Sequence, residues 1–299
     1  MSNITLTALS DELSNLASAG ATSVVQVLGS RRPASGLVHG AHTIVTMARA
    51  IGREDGLRVR VAGAEAGEAD LAGWDPATGI AVLRTRTAIG AQAPSLADAE
   101  PRVGQIVLAL ARSWSNALTA SAGIVAVVGG PLRTGRRRQI PRVIRVTASM
   151  HDGFAGGGLF DASGKLTGVA TASAIRGFGV VIPASIAWAA AAHVLAAGTP
   201  RRGFIGLAVQ PVELPRSQQP EGRERALLLI GITPGSPAEA AGLIVGDVLL
   251  DFDGHATESA DDLLDLLTGS RVGQTFIART LRGGAIREVQ LTVAEREGR

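Results

Sequence analysis

Between residues 35 and 182 the chain repeats one pattern: short apolar runs separated by turn residues. Runs at 36–38, 43–46, 57–62, 80–85, 105–109, 122–128, 143–147, 158–160, 166–171 and 178–182 each have strand length. Many short strands at this spacing predict an all-β sandwich or barrel. Asp161-Ala162-Ser163-Gly164 reads as a hairpin turn within the series. Ahead of it, Leu9, Leu13, Leu16 and Ala17 recur at helical spacing and predict a short helix, followed by a strand over 23–28. After Pro183 the period changes. Residues 184–197 read as an Ala-rich helix closed by Gly198 and Pro200, with a linker over 199–203.

The last third carries sharper local signals. Ser236-Pro237-Ala238-Glu239 is a capping box with Pro at the first helical position, and Gly242 closes that helix. Gly246-Asp247 turns into a strand over 248–252, and Ser259 caps a second helix running to Thr268. Strands over 275–281 and 287–293 flank the turn Arg282-Gly283-Gly284. Mixed strands with two helices in about 100 residues suit one small α+β domain.

Composition narrows the chemistry. With 299 residues and 46% hydrophobic content, two ordinary globular domains are expected. The net charge is only +3 while the pI is about 10.6. Lys165 is the single Lys and Tyr and Cys are absent, so a small Arg excess sets the pI. It does not argue for nucleic acid. The densest basic run, Arg133, Arg136, Arg137 and Arg138, reads as a solvated loop without interleaved aromatics. The lack of Cys excludes disulfides, thiol catalysis and Cys-based zinc sites. Residues 1–30 lack a basic residue and contain Asp11 and Glu12, so no signal peptide is readable there. The stretch 186–197 is too short to span a bilayer and contains His193. A soluble chain is expected, cytoplasmic, or periplasmic or extracellular after trimming, with no cofactor and no nucleic-acid partner.

Candidate chemistry gathers at Gly153-Phe154-Ala155-Gly156-Gly157-Gly158-Leu159. A glycine followed by a glycine run entering an apolar strand describes a tight loop that presents backbone N–H groups. His151 and Asp152 stand just before it, and His39 and His42 flank an apparent hairpin turn at Gly40-Ala41. These histidines match no metal-ligand spacing.

With these residues laid out, the chain resembles the HtrA/Deg family, a chymotrypsin-like double β-barrel followed by a PDZ domain. The most specific part is Thr233-Pro234-Gly235-Ser236-Pro237-Ala238-Glu239-Ala240-Ala241-Gly242-Leu243 with Gly246-Asp247-Val248, which looks like the short helix and strand of an HtrA-type PDZ domain. Phe204-Ile205-Gly206-Leu207 resembles that family's carboxylate-binding loop. Residues 153–159 match its Gly-Asn-Ser-Gly-Gly-Pro-Leu loop, and Gly179-Val180-Val181-Ile182-Pro183 its strand into the closing helix. The resemblance implies a mainly β fold, with a trypsin-like domain over 1–198 and a PDZ domain over 199–299.

It also sets the triad against this sequence. Arg49 stands at the histidine position, Gly79 at the aspartate position and Ala155 at the serine position. The triad needs a hydroxyl, an imidazole base and a carboxylate to orient it, and Arg stays protonated at all working pH. These positions lead to the expectation of no enzyme: a pseudoprotease with no catalytic residues, acting as a peptide-binding scaffold or regulator. The alternative is an active serine endopeptidase in protein quality control, with a Ser→Ala replacement at 155 or a displaced nucleophile. Gly153 and Ala155 remain as an oxyanion-like loop. Peptide binding is assigned by the resemblance to Phe204, Ile205, Gly206, Leu207 and Leu267, the last on a helix whose Leu263, Leu264 and Leu267 wall the groove. The implied partners are protein C-termini or unfolded peptides, with homo-oligomers or co-assembly with active HtrA proteases.

Overall fold

A computed structural model describes residues 6–29, 32–51, 56–135, 138–197, 203–215, 219, 222–267 and 271–295. The chain divides into two compact units, Met1–Pro200 and Arg201–Arg299.

The first unit opens with α1 (Leu6–Gly20). Strands β1 (Val24–Leu28), β2 (Ala34–Gly40), β3 (Thr43–Met47), β4 (Arg58–Arg60), β5 (Gly67–Trp74) and β6 (Ile80–Thr85) close into a barrel in the order β1-β2-β3-β6-β5-β4. Strands β7 (Ile106–Ser113) and β8 (Ala117–Gly129) start a second barrel, and β9 (Leu132–Gly135) with β10 (Arg138–Ile140) forms a small hairpin beside it. Strands β11 (Val143–Val146), β12 (Gly158–Asp161), β13 (Leu166–Ile175) and β14 (Phe178–Pro183) complete it in the order β11-β14-β13-β12-β7-β8. Helix α2 (Ala184–Ala197) follows directly from β14.

Strand alternation builds the cores. Val107, Ala109 and Ala111 of β7 point into the second barrel with Ile144, Phe154 and Leu159. Leu108 and Leu110, one residue out of phase, join Leu37, Val45, Phe160 and Val169 in the seam between barrels, under Ala187 and Ala191 of α2. That period of two gives β7 two buried faces.

The basic run differs from expectation. Arg133 lies on β9 and Arg138 on β10, so the segment is a hairpin; Arg136 and Arg137 lie outside the described residues. Strand β5 had no readable apolar run, because Glu68, Asp70 and Gly73 break it. Its register against β6 supplies what hydropathy does not.

The second unit holds β15 (Gly203–Phe204), β16 (Leu207–Glu213), β17 (Arg225–Ile232), α3 (Pro237–Ala240), β18 (Val248–Phe252), β19 (His255–Ala256), α4 (Ala260–Leu266), β20 (Thr275–Arg282), β21 (Ala285–Thr292) and β22 (Ala294–Glu295). Its main sheet runs β16-β17-β18-β20-β21, with β19 on β18 and β15 paired to β22. Ser236 caps α3 by accepting from the Glu239 N–H at 3.4 Å, and a capping box of Ser259 and Asp262 starts α4. The proposed helix end at Thr268 and Gly269, and the closing residues Gly198 and Pro200 of α2, lie outside the described residues.

Candidate functional site

The first unit brings positions 49, 79 and 155 to one end of the inter-barrel seam. Arg49 sits in a 3-10 turn straight after β3, and Gly79, in the left-handed region at φ 71°, precedes β6. Adjacent strands β3 and β6 place them together: the Ala48 N–H donates to the Gly79 carbonyl at 2.7 Å. The Arg49 guanidinium reaches across the seam, with Nη1 donating to Ser173 Oγ at 2.6 Å and to the Thr171 carbonyl at 3.2 Å. Its Nη2 lies 3.9 Å from Asp152 in an exposed pair.

Position 155 ends a one-turn 3-10 helix, Asp152–Phe154. The Gly153 N–H donates to His151 Nδ1 at 3.0 Å and the Ala155 N–H to the Asp152 carbonyl at 3.1 Å. Both backbone donors assigned to an oxyanion loop are therefore engaged within the turn. Phe154 is buried in the second barrel, edge-on to His151 at 5.0 Å. Gly158 adjoins the Phe160 ring so closely that a Cβ there would lie 2.6 Å from Cε2.

The loop is held by a residue the sequence did not single out. Ser35 on β2 donates through Oγ to the Gly153 carbonyl at 2.8 Å, accepts from the Arg112 N–H at 2.8 Å, and gives its own N–H to the Ala155 carbonyl at 3.0 Å. Thr46 Oγ1 donates to the Ser35 carbonyl at 2.7 Å. A Cβ on Gly156, whose φ is 82°, would lie 2.2 Å from the Ser35 carbonyl oxygen. The buried Arg112 side chain completes the seam by donating to the carbonyls of Val24, Asn116 and Ala21. Burial pushes its guanidinium below its ordinary value. A lone Ser carries no sequence signal for such a role, which arises only when the barrels meet.

The remaining histidines stay apart from the loop. His39 packs against Trp188 with ring centroids 5.5 Å apart, and burial lowers its imidazole. His42 Nδ1 lies 3.2 Å from the Thr85 carbonyl on the far end of β3. Among the described residues no group of three His, Asp or Glu is placed to hold a metal ion.

In the second unit the predicted loop is well formed. Phe204 is half-buried on β15, Ile205 is buried, and Gly206 adopts φ 81°. The Ile205 carbonyl accepts from the Ala238 N–H at 2.9 Å and the Gly206 carbonyl from the Thr233 N–H at 2.8 Å. Those bonds seat the loop against the start of α3. A Cβ on Gly206 would lie 2.1 Å from Ser236 Cβ. Strand β16 leaves this loop as the outer strand of the sheet, and among the described residues no strand pairs with its other edge. Helix α4 lies beside β16. Leu263 and Leu267 are buried on its inner face with Ile205, while Leu264 is 63% exposed. Leu263 and Leu267 thus belong to the core of this unit, and Leu264 does not.

An ion pair between a buried carboxylate and a partly exposed guanidinium braces this sheet. Arg282 donates to both oxygens of Asp247, at 2.6 and 2.7 Å, and the Ile244 N–H donates to Oδ2 at 3.0 Å. Burial alone would raise the Asp247 carboxyl. The hydrogen bonds from Arg282 and Ile244, with the charges of Arg282 and Arg287, outweigh it and hold the carboxyl below its ordinary value.

Comparisons with known proteins agree with this architecture. A trypsin-like peptidase domain matches residues 34–169, and a PDZ domain matches residues 231–277. The serine endoprotease DegS of Haemophilus influenzae is 26% identical over 76% of this chain and 66% of its own length. A probable periplasmic serine endoprotease, DegP-like, of Rhizobium meliloti is 30% identical over 76% of this chain and 46% of its own. A solved serine endoprotease from Yersinia pestis aligns with TM-score 0.53 at 26% identity, covering 95% of this chain and 98% of that one. The HtrA-type protease AlgW, solved with a decapeptide, aligns with TM-score 0.55 at 22% identity, covering 96% and 99%. Among the described residues no helix is long and apolar enough to cross a membrane.

The relatives correct one expectation. The residues at 49, 79 and 155 lead to a non-enzyme, a pseudoprotease. Yet the curated relatives, 26–30% identical over 72–85% of the chain, are named serine endoproteases. The expectation weighs three side chains, whereas the relationship spans both barrels and the PDZ sheet, and a hydroxyl or a base is a group that another position of a cleft can furnish. A double barrel with its Gly-rich loop at the seam, a PDZ sheet with an open outer edge, and a likeness along most of its length are what this chain shares with the HtrA/Deg family of serine proteases.

Proposed function

We propose that the chain is an HtrA-type endopeptidase acting on polypeptide, with a PDZ unit that captures free C-termini by adding them as a strand beside β16. The observation that carries the reading is the open edge of β16, which starts at the loop of residues 205–207 and has α4 beside it. Loop amides receive a terminal carboxylate, and an edge strand supplies main-chain bonds to an extended peptide. HtrA-type proteases of the same fold have been solved with a decapeptide and with a tripeptide, which supports peptide as the ligand class.

The hydrolytic half rests on the relatives and needs a nucleophile away from position 155, since a methyl group has no lone pair to attack with. Ser173 is the best supported. It is exposed on β13 and already accepts a hydrogen bond from Arg49, the charged group that replaces the family's histidine. A neighbouring guanidinium favours the ionised form of a hydroxyl. His151 is the imidazole at the loop. Its Nδ1 lone pair is taken by the Gly153 N–H, so one movement of that N–H frees both a base and an oxyanion donor.

The test is to treat the full chain with a fluorophosphonate probe, map the labelled residue, and follow cleavage of unfolded casein. Casein cleavage with a label on Ser173, both lost in Ser173→Ala, is the expected result. A label on another hydroxyl keeps the class and moves the nucleophile. An unlabelled chain that leaves casein intact overturns the endopeptidase reading. Capture is scored separately, by binding of C-terminal peptides with free but not amidated ends.

A further inference from the structure

The edge of β16 offers fewer main-chain donors than its length suggests. Its hydrogen-bond parity follows from the bonds at both ends. The Thr233 N–H donates to the Gly206 carbonyl, so Leu207 and Ile232 form a pair that exchanges no bonds between its own members. At the far end the Leu214 N–H donates to the Glu224 carbonyl at 2.8 Å, which makes Glu213 and Arg225 a pair of the same kind. Between them the Leu229 N–H turns away to the Asp247 carbonyl at 2.8 Å, so its partner Val209 is also free of β17. The register shift between Ala208 and Val209 is absorbed on β17, where Ile230 is the extra residue.

The main-chain groups of Leu207, Val209, Pro211 and Glu213 therefore all face the open edge. Pro211 has no N–H. That is why a Pro is tolerated inside this strand, since β17 asks nothing of its nitrogen. It also leaves a gap in the row of donors facing the groove.

Resting on the capture of C-termini proposed above, we infer that Pro211 ends the readable part of the peptide site, so that backbone pairing is complete only for the last three residues of a ligand. An added strand runs antiparallel to β16, its carboxylate at the loop of residues 205–207. The terminal residue then lies opposite Leu207, and the residue two before it exchanges both bonds with Val209. The residue four before it meets Pro211, whose carbonyl accepts but whose nitrogen donates nothing. That ligand carbonyl goes unpaired, and further length adds little. The ligand class is thus a short, C-terminal apolar signature presented on an otherwise unpaired tail, not an extended strand-forming segment.

The test uses the full chain and Pro211→Ala, with C-terminal peptide pools randomised at the last three positions and presented at lengths of three, five and seven residues. Amidated pools serve as controls, and sedimentation reports self-association of each variant. In the wild-type chain, affinity is expected to rise from three residues to seven by no more than the one bond that the Pro211 carbonyl accepts. In Pro211→Ala the five- and seven-residue pools are expected to gain about threefold to tenfold, the worth of one restored hydrogen bond, with the three-residue pool unchanged. If wild type already gains from length as much as the variant, the inference fails while capture of C-termini stands. Self-association of Pro211→Ala without any gain for the longer pools also overturns it, and assigns Pro211 to edge protection alone. If no pool binds either protein in a carboxylate-dependent way, the capture reading fails and takes the inference with it.

Discussion

Two loops of this chain are built on the same device and end in opposite states. Gly156 in the barrel loop and Gly206 in the PDZ loop both sit in the left-handed region, at φ 82° and 81°, where a side chain would strike a neighbour. In the barrel the backbone is closed on itself. The N–H groups of Gly153, Ala155 and Gly157 are bonded within the turn, the Gly156 N–H goes to the Ala170 carbonyl, and Ser35 ties the loop's carbonyls to β2. In the PDZ unit the loop's carbonyls are anchored to Ala238 of α3 and to Thr233 ahead of it, while the strand it feeds has an open edge. A left-handed glycine thus marks a place where backbones come close, but the partners already present decide whether that backbone is locked or available.

The largest expected effect comes from adding one methyl to each loop. In Gly156→Ala the clash is with backbone, the Ser35 carbonyl oxygen at 2.2 Å, and the left-handed strain adds to it. Together they should cost about 4 kcal/mol. Trp74, Trp114 and Trp188 all lie in the first unit, so tryptophan fluorescence in a urea titration reads this loss without interference from the PDZ unit. Gly206→Ala presses instead on the Ser236 side chain, and the expected result is an unchanged tryptophan transition with loss of C-terminal peptide binding by about tenfold or more. Equal effects of the two changes on the tryptophan transition would break the comparison.

Next in size is the brace under the open edge. Asp247→Ala leaves Arg282 and the Ile244 N–H without their acceptor and should cost the PDZ unit about 3 kcal/mol, read as a lower calorimetric transition with the tryptophan transition intact. The same carboxyl gives this unit an acid limb. Because Asp247 is held below its ordinary value in the fold, its contribution is complete above about pH 4 and fades as pH falls through the folded value. Calorimetric scans stepped downward from pH 5 should show the wild-type PDZ transition falling more steeply than that of Asp247→Asn. Parallel slopes would remove Asp247 from the account.

The smallest effect sharpens the closed half. Ser35→Ala leaves the Gly153 carbonyl and the Arg112 N–H without a buried partner, and about 2 kcal/mol of stability should go, by the same fluorescence titration. Ser35→Thr keeps the hydroxyl and should recover part of it. If Ser35→Ala is silent, the loop is held by its own turn and not by the first barrel.

The legible parts were those with local causes. The apolar runs at 23–28 and 105–109, the turn at Asp161, and the caps at Ser236 and Ser259 each announce an element from a few neighbouring residues, and each is found. Strand β5 was not legible because its charged residues face water and only its register against β6 and β4 holds it. The site divides in the same way. Phe204-Ile205-Gly206-Leu207 is contiguous and could be named from the sequence; Ser35 meets the barrel loop, and Ser173 meets Arg49, each across a separation of more than a hundred residues, and neither could be named. The residues at 49, 79 and 155 led to the expectation of a non-enzyme, which the relatives along most of the chain overturn.

By itself, then, the sequence determined the order of elements, the change from strand to helix at Pro183, and the loops where only glycine is admitted, because each depends on backbone preference and near-neighbour polarity. Tertiary structure alone decided which backbone groups remain open. Whether the Gly153 carbonyl is tied to Ser35, or the amide row of β16 broken at Pro211 faces a groove, depends on which strands lie alongside. Hydrogen-bond parity between strands is a property of the pair and is written in neither one.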